Sequence, residues 1–180
     1  MKFCSNCGDL VAQKVPDGDT KSRWVCSACD IVHYQNPKIV VGCVPEIDDR
    51  ILLCKRAIEP RYGYWTVPAG FMEIGETIAE GAARETREEA CAEVEMGHLF
   101  ASVDVPEAGQ VHLFFAATLL GDFAAGHETL EADLFAKDQI PWDEIAFRSG
   151  LFALEKYLDD AGQNNGVHLH EVRRNRNPVD

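Results

Sequence analysis

The chain has 180 residues, of which 46% are hydrophobic and 26% are charged, and this balance favours a folded, soluble globular protein over a disordered one. Its 30 acidic and 17 basic residues give a formal net charge of −13, which disfavours nucleic acid as a partner. No apolar run reaches the roughly 18 residues that a membrane helix needs. The first residues lack the apolar core of a signal peptide, so seven cysteines favour the reducing cytoplasm over a disulfide framework.

Residues 1–34 contain two Cys-x-x-Cys pairs, Cys4 with Cys7 and Cys26 with Cys29, separated by 18 residues. Each pair can turn two sulfurs towards one point, and this spacing is typical of a zinc ribbon. So short a segment buries too little apolar surface to fold unaided, and a bound metal can supply the missing stability. Because four thiolates close the coordination shell, we expect a structural Zn²⁺, with two redox motifs or accidental cysteines as the alternative. His33 could replace one sulfur, but with four cysteines present we expect it to be a surface or packing residue.

Beyond Asn36-Pro37 the sequence becomes strongly apolar, and strand and helix patterns in mixed order predict an α/β layered domain. A capping box of Thr77 and Glu80 marks the start of the first helix. We expect strands at 39–44, 51–55, 98–105, 111–120 and near 134–136, and helices at 77–90 and 150–160. The polar residues 161–180 are expected to form a mobile tail.

The most informative stretch is residues 70–92. On a helical wheel of about 100° per residue, Glu85, Glu88 and Glu89 share one narrow arc. Like charges at this spacing destabilise a helix by roughly 0.2–0.5 kcal/mol per pair in water. A hard divalent cation such as Mg²⁺, which prefers oxygen ligands, reverses the sign of that effect. The arc therefore indicates a metal site for phosphate chemistry, with a solvated acidic helix face as the alternative.

This stretch resembles the Nudix box, G-x5-E-x7-R-E-U-x-E-E-x-G-U, in which U is a bulky aliphatic residue. The first glycine and all charged positions match at the family spacing: Gly70, Glu76, Arg84, Glu85, Glu88 and Glu89. The sequence departs from the box at three packing or turn positions, which hold Thr86, Cys91 and Ala92. Flanking segments also resemble the Nudix domain, so the resemblance covers about residues 37–160.

The resemblance implies a Nudix α/β/α sandwich with a mixed sheet, preceded by the small zinc ribbon. Such a ribbon is also seen in NADH pyrophosphatases and in relatives that resemble FAD or ADP-ribose pyrophosphatases. The implied activity is hydrolysis of a nucleoside diphosphate linked to another group, with Mg²⁺ or Mn²⁺ as cofactor. Glu76 and Arg84 would pair and orient the helix and its loop. The implied metal ligands are the carbonyl of Gly70 and the carboxylates of Glu85, Glu88 and Glu89.

The sequence leaves the general base and the substrate contacts open. Glu128, in the loop after the strand at 111–120, is the candidate base. Its rivals are Glu131, Glu107 and a glutamate of the helix, and a solvated loop carboxylate is the alternative for each loop residue. Candidate substrate contacts precede the box: Arg56 and Arg61 for phosphate, and Tyr64 for stacking on a base.

We expect the substrate to be a small-molecule nucleotide, either a dinucleotide or a nucleotide sugar, such as FAD or ADP-ribose. NADH cleavage and removal of an NAD cap from RNA are alternatives, but residues 93–125 contain nothing like the SQPWPFP-type segment of NADH pyrophosphatases. A non-catalytic nucleotide-sensing or partner-binding module is the alternative from another class, and the complete set of three glutamates argues against it. Dimers are common in the family that the chain resembles, so a homodimer stays open.

Overall fold

The computed structural model describes residues 1–173, which divide into two compact units after residue 36. The first unit is a three-stranded antiparallel sheet in the order β1-β2-β3. Its strands are β1 (Val11–Lys14), β2 (Arg23–Cys26) and β3 (Val32–His33). The buried hydrophobic side chains of this unit are Cys4, Val25 and Cys26. So small a core needs an additional cross-link to stay folded.

The second unit, from residue 37 onward, is built on an eight-stranded sheet. Its strands are β4 (Lys38–Ile47), β5 (Arg50–Arg56), β6 (Trp65–Thr66), β7 (Ala69–Phe71), β8 (Glu93–Val105), β9 (Gln110–Leu120), β10 (Thr129–Ala136) and β11 (His168–Glu171). The main order is β10-β5-β4-β9-β8-β11, with β6 beside β5 and β7 beside β4. β4 with β9 and β8 with β11 pair in parallel, and the other described pairs are antiparallel. The sheet is therefore mixed, as expected.

Two helices, α1 (Ile78–Ala90) and α2 (Arg148–Asp159), cover opposite faces of this sheet. Successive residues of a strand point to opposite faces. Phe115 of β9 belongs to the apolar cluster that packs against α1, whereas its neighbour Phe114 belongs to the cluster that packs against α2. The result is the expected α/β/α sandwich. Within residues 1–173, neither helix has the length and apolar character needed to cross a membrane.

The structure differs from the predictions most clearly at three strands, of which β8 begins at Glu93 and not at residue 98. β10 begins at Thr129, well before the expected residue 134, because its backbone pairs with β5, which is distant in sequence. β11 lies in the segment that was expected to be a mobile tail, and it pairs with β8 from His168 to Glu171. Backbone pairing needs no apolar pattern in the added strand, so its polar sequence gave no strand signal. The tail prediction is wrong for residues 168–171, and residues 174–180 lie outside the described part.

Candidate active site and zinc cluster

Helix α1 begins at the predicted capping box and lies close against the sheet. The Thr77 side chain accepts a hydrogen bond from the Glu80 backbone N–H at 3.2 Å, and the Glu80 carboxylate accepts one from the Thr77 backbone N–H at 2.7 Å. A Cβ at Gly81 would lie 2.8 Å from a methyl carbon of Val41, so glycine lets the helix approach β4. This close approach places the second half of α1 beside β7.

The three glutamates of α1 differ in exposure. Glu85 and Glu89 are each 9% exposed, whereas the side chain of Glu88 is 58% exposed. Burial raises the pKa of Glu85, and burial together with the negative charge of Glu85 raises the pKa of Glu89 to about 8. Two neighbouring buried carboxylates form an oxygen-rich site, and a hard divalent cation such as Mg²⁺ or Mn²⁺ would stabilise their charged forms. The donor chemistry therefore fits the implied metal.

Arg84 ties the helix to the preceding loop. Its Nε and Nη2 donate to the two carboxylate oxygens of Glu76 at 3.0 and 2.9 Å, and Nη2 also donates to the Phe71 carbonyl at 3.0 Å. Its Nη1 donates to Glu85 at 2.8 Å and to Glu88 at 3.1 Å. The guanidinium holds the pKa of Glu76 at about 2. Arg84 thus pairs with Glu76 and also contacts two of the three glutamates.

Strand β7 brings its backbone against the buried carboxylates. The Ala69 N–H donates to Oε2 of Glu89 at 3.3 Å. A Cβ at Gly70 would collide with the carboxylate of Glu85, so any larger residue would displace that carboxylate. Among the described residues, the carboxylates do not converge into a three-membered metal-binding group of the kind that the cysteines form. Arg84 holds two of the glutamates, so the acidic group is looser than a preformed cage.

The four predicted zinc ligands meet in the first unit, where their sulfur atoms all lie within 4.8 Å of one another. Cys4 Sγ lies 3.7 Å from Cys29 Sγ, and Cys7 Sγ lies 3.4 Å from Cys26 Sγ. His33 Nε2 lies 3.3 Å from Cys4 Sγ, next to the cluster and in addition to its four sulfurs. Four convergent soft donors fit a structural Zn²⁺.

A cavity of about 860 Å³ opens beside the glutamates. Arg56 and Arg61 line it, whereas Tyr64 is not among the described lining residues and lies with its ring 5.3 Å from the Arg61 guanidinium. The Arg56 guanidinium lies 4.9 Å from the centre of the Phe147 ring, and its charge acts on the pKa of Glu89. The structure thus brings two of the three candidate substrate contacts to the wall of the cavity that the glutamates line.

Of the loop candidates for the general base, Glu128 lies in the cavity wall. It immediately precedes β10, and its negative charge contributes to the raised pKa of Glu89. Glu131 lies on β10 and pairs with Lys55 at 3.0 Å. Glu107 lies in a short 3₁₀ turn and is not among the described residues that line the cavity. The geometry therefore separates Glu128 from its loop rivals.

The other end of the cavity is formed by residues that the sequence did not assign to a site. His112 of β9 contacts Ser149 Oγ through Nδ1 and Gln110 Oε1 through Nε2, both at 2.9 Å. Val172, just beyond β11, lines the same cavity. The alternation along β9 could have indicated His112, which shares a face with Phe114. No local signal marks Ser149 or Val172.

Sequence profiles and solved structures agree with this arrangement. The profile of the Nudix N-terminal zinc ribbon matches residues 2–35, and that of the NUDIX domain matches residues 36–154. A NUDIX hydrolase from Nitrosomonas europaea is 48% identical with a TM-score of 0.93, covering 97% of this chain and 100% of that chain. An ADP-ribose pyrophosphatase from Streptococcus suis shares the fold with a TM-score of 0.60, at 22% identity over 76% of this chain and 100% of that one.

Curated relatives include enzymes with two kinds of substrate. An ADP-ribose pyrophosphatase of Methanocaldococcus jannaschii is 33% identical over 119 residues, which cover 63% of this chain and 69% of that relative. The NAD-capped RNA hydrolase NudC of Edwardsiella ictaluri is 33% identical over 150 residues, which cover 78% of this chain and 53% of the relative. The chain spans about half the length of the NAD-capped RNA hydrolases that it matches. With the domain match, the sandwich and the glutamate helix together, the chain belongs to the Nudix hydrolase family.

Proposed function

We propose that the chain hydrolyses the diphosphate linkage of a dinucleotide or nucleotide sugar such as FAD or ADP-ribose. The observation that carries this proposal is the pair of buried carboxylates, Glu85 and Glu89, at the end of a cavity that also contains Arg56 and Arg61. A volume of about 860 Å³ lies within the usual range for small-molecule sites. The relative from M. jannaschii, an ADP-ribose pyrophosphatase, favours ADP-ribose within this class.

The carboxylates of Glu85, Glu88 and Glu89 and the carbonyl of Gly70 would hold Mg²⁺ or Mn²⁺. When bound, the cation supplies charge neutralisation at the phosphate oxygens and activation of water. Glu88 has room to reorient because most of its side chain is exposed. Arg84, paired with Glu76, keeps the loop and the helix together and so preserves the position of the ligands.

In this proposal the remaining charged groups of the cavity bind phosphate and move a proton. Arg56 and Arg61 would donate hydrogen bonds to the phosphate oxygens. Glu128 would accept a proton from the attacking water. The water oxygen would bond to one phosphorus while the bond between that phosphorus and the bridging oxygen breaks. The products would be a nucleoside monophosphate and the phosphorylated second group. Tyr64 would contribute less, because it lies outside the described cavity lining.

Cleavage of NADH or of NAD-capped RNA is the second candidate. Several curated relatives are NAD-capped RNA hydrolases, which supports a substrate that contains NAD. Against it, residues 93–125 lack an SQPWPFP-type segment, and a net charge of −13 opposes binding to RNA. A non-catalytic module is disfavoured because all three glutamates are retained in a folded site.

We further propose a reducing compartment, the cytoplasm, because all seven cysteines are free thiols and four of them form the cluster that suits zinc.

A homodimer remains a prediction, and light scattering of the purified protein at several concentrations checks it. A constant mass of one chain would contradict the dimer.

The proposed activity is tested by offering FAD, ADP-ribose, NADH, NAD, coenzyme A and nucleoside triphosphates with Mg²⁺ or Mn²⁺ and measuring the release of mononucleotide or phosphate. We expect turnover of ADP-ribose or FAD to fall by more than about 100-fold in Glu89→Gln. The loss of a metal ligand should reduce activity more than the loss of a residue that only orients such a ligand. Glu95→Gln, at an exposed position of β8, is the matched control. A wild-type rate in Glu89→Gln would overturn the metal site. If NADH or NAD is cleaved while ADP-ribose and FAD are not, the second candidate is favoured.

A further inference from the structure

The residues that line the cavity form two chemically different groups. The first group holds the three glutamates of α1 and the arginines Arg56 and Arg84. The second group, which we call the far compartment, consists mainly of apolar and uncharged polar side chains, with Arg148 beside them. They are Val105, Gln110, His112, Phe114, Ser149 and Val172, which are connected by the pairing of β8 with β9 and by the hydrogen bonds of His112. A phosphate group suits the first group, and an uncharged part of the same substrate suits the second.

The hydrogen bonds of His112 define what the far compartment offers to a ligand. Gln110 Oε1 can only accept, so the His112 Nε2 that contacts it carries the hydrogen. Burial lowers the pKa of His112 and so favours a neutral ring, whose Nδ1 then accepts from the Ser149 hydroxyl. Within residues 1–173, no hydrogen bond uses the Gln110 amide N–H groups, and the Ser149 oxygen can accept one from a ligand. Uncharged donors and acceptors of this kind match the edge of a heterocyclic ring.

The C-terminal strand supplies a wall of the far compartment. The Val172 N–H donates to the Asp104 carbonyl at 2.8 Å and so continues the pairing of β11 with β8. The Val172 side chain packs against the large apolar cluster under α2. Arg148, at the start of α2, lines the cavity and donates from Nη1 to the Arg173 carbonyl at 3.2 Å. Val172 is therefore held between the edge of the sheet and the start of α2.

Two further contacts fix this strand. The His170 ring stacks on Phe152 of α2, with 4.4 Å between ring centres and an interplanar angle of 10°. His168 Nε2 lies 2.7 Å from a carboxylate oxygen of Asp160. The NUDIX domain match ends at residue 154, so this wall lies beyond the matched segment. Its residues can therefore vary without altering the box that supplies the metal ligands.

We propose that the far compartment holds the uncharged ring of the nucleotide substrate and that Val172 is a specificity-determining residue, which limits the size of that ring. The ring would lie among Phe114, Val105 and Val172, with its edge towards Gln110 and Ser149. The diphosphate would then extend towards Arg56 and the glutamates. This inference rests on the proposed function for its reaction, but ring binding can be measured without hydrolysis.

The test compares Val172→Phe and Val172→Ala with Leu169→Phe, a matched control at a position of β11 that is 80% exposed. Binding of AMP in the presence of Mg²⁺ is measured by calorimetry, and KM and kcat are measured for ADP-ribose and FAD. We expect Val172→Phe to weaken AMP binding and raise KM by about tenfold or more, with kcat near that of the wild type. Val172→Ala should bind N6-benzyl-AMP, whose ring system is larger, more tightly relative to AMP than the wild type does. Leu169→Phe should change neither quantity.

His112→Leu keeps a side chain of similar size but removes the hydrogen bonds to Gln110 and Ser149. It should therefore also weaken AMP binding. Thermal unfolding checks that each variant is folded, and if Val172→Phe does not fold, Val172→Ala and His112→Leu carry the test. Unchanged AMP affinity and KM in the folded variants, or a fall in kcat at constant KM, would overturn the inference. A wild type that binds AMP but cleaves no substrate would overturn the proposed function and leave this inference standing.

Discussion

The acidic site needs glycine at position 70, because no larger residue leaves room for the Glu85 carboxylate. The missing Cβ of Gly70 leaves the space that this carboxylate occupies. We expect Gly70→Ala to displace that carboxylate and to lower Mg²⁺-dependent turnover by about 10–100-fold, the range for groups that support a ligand. Calorimetric titration with Mg²⁺ should show weaker binding, while circular dichroism should show an intact fold. Full activity and full metal affinity would contradict this role.

Cys91 occupies the position at which the Nudix box has its second glycine, and the structure explains why the family has glycine there. Cys91 ends α1 with φ 48°, in the left-handed region that glycine adopts without strain. We expect Cys91→Gly to raise the free energy of unfolding by about 1 kcal/mol, since the strain of a residue with a Cβ is removed. Cys91→Ala keeps the Cβ and is the control. Urea denaturation measures both, and equal stability of the two variants would contradict the explanation.

At the scale of secondary-structure elements, the pair of Arg84 and Glu76 joins the loop to α1. Because Arg84 lowers the pKa of Glu76 from 4.5 to about 2, the pair contributes stability above the unfolded value and loses it as the pH falls towards 2. We therefore expect the stability difference between wild type and Glu76→Gln to be constant above about pH 5 and to shrink between about pH 4.5 and pH 2. Urea denaturation at a series of pH values measures it. A difference that grows on acidification would contradict the sign.

Local sequence predicts α1 better than it predicts the strands β10 and β11. The start of α1 was predicted from Thr77 and Glu80, because a capping box acts within one helical turn. β10 and β11 were shortened or missed, because their hydrogen-bond partners are β5 and β8, which local patterns do not identify. Elements held by local hydrogen bonds were therefore predictable, and edge strands held by distant partners were not.

At the scale of the whole molecule, the two units should respond differently to loss of zinc. We expect about one Zn²⁺ per chain in protein purified without chelator, and unfolding of residues 1–36 when a chelator removes it, because this unit has few buried apolar side chains. Metal analysis and limited proteolysis measure both effects. Cys4→Ser should reproduce the loss, and Cys91→Ala, an exposed cysteine outside the cluster, is the control. Protein without zinc and with a protease-resistant first unit would contradict the prediction.

The same variant tests whether the first unit is needed for activity. We expect the second unit to remain folded in Cys4→Ser, because its large apolar clusters are independent of the cysteine cluster. Turnover should therefore persist. Complete loss of turnover with an intact second unit would mean that the ribbon shapes the active site.

Both the zinc cluster and the acidic group of the active site were predictable without a structure. The spacing of the cysteines predicted the zinc cluster, and the spacing of Glu85, Glu88 and Glu89 on one helix predicted the acidic group, because both depend on geometry within one short segment. Which other residues share the cavity depends on contacts between distant parts of the chain. Glu128, Ser149 and Val172 are far apart in the chain, and the pairing of β10 with β5, the packing of α2 and the pairing of β11 with β8 bring them to the same space.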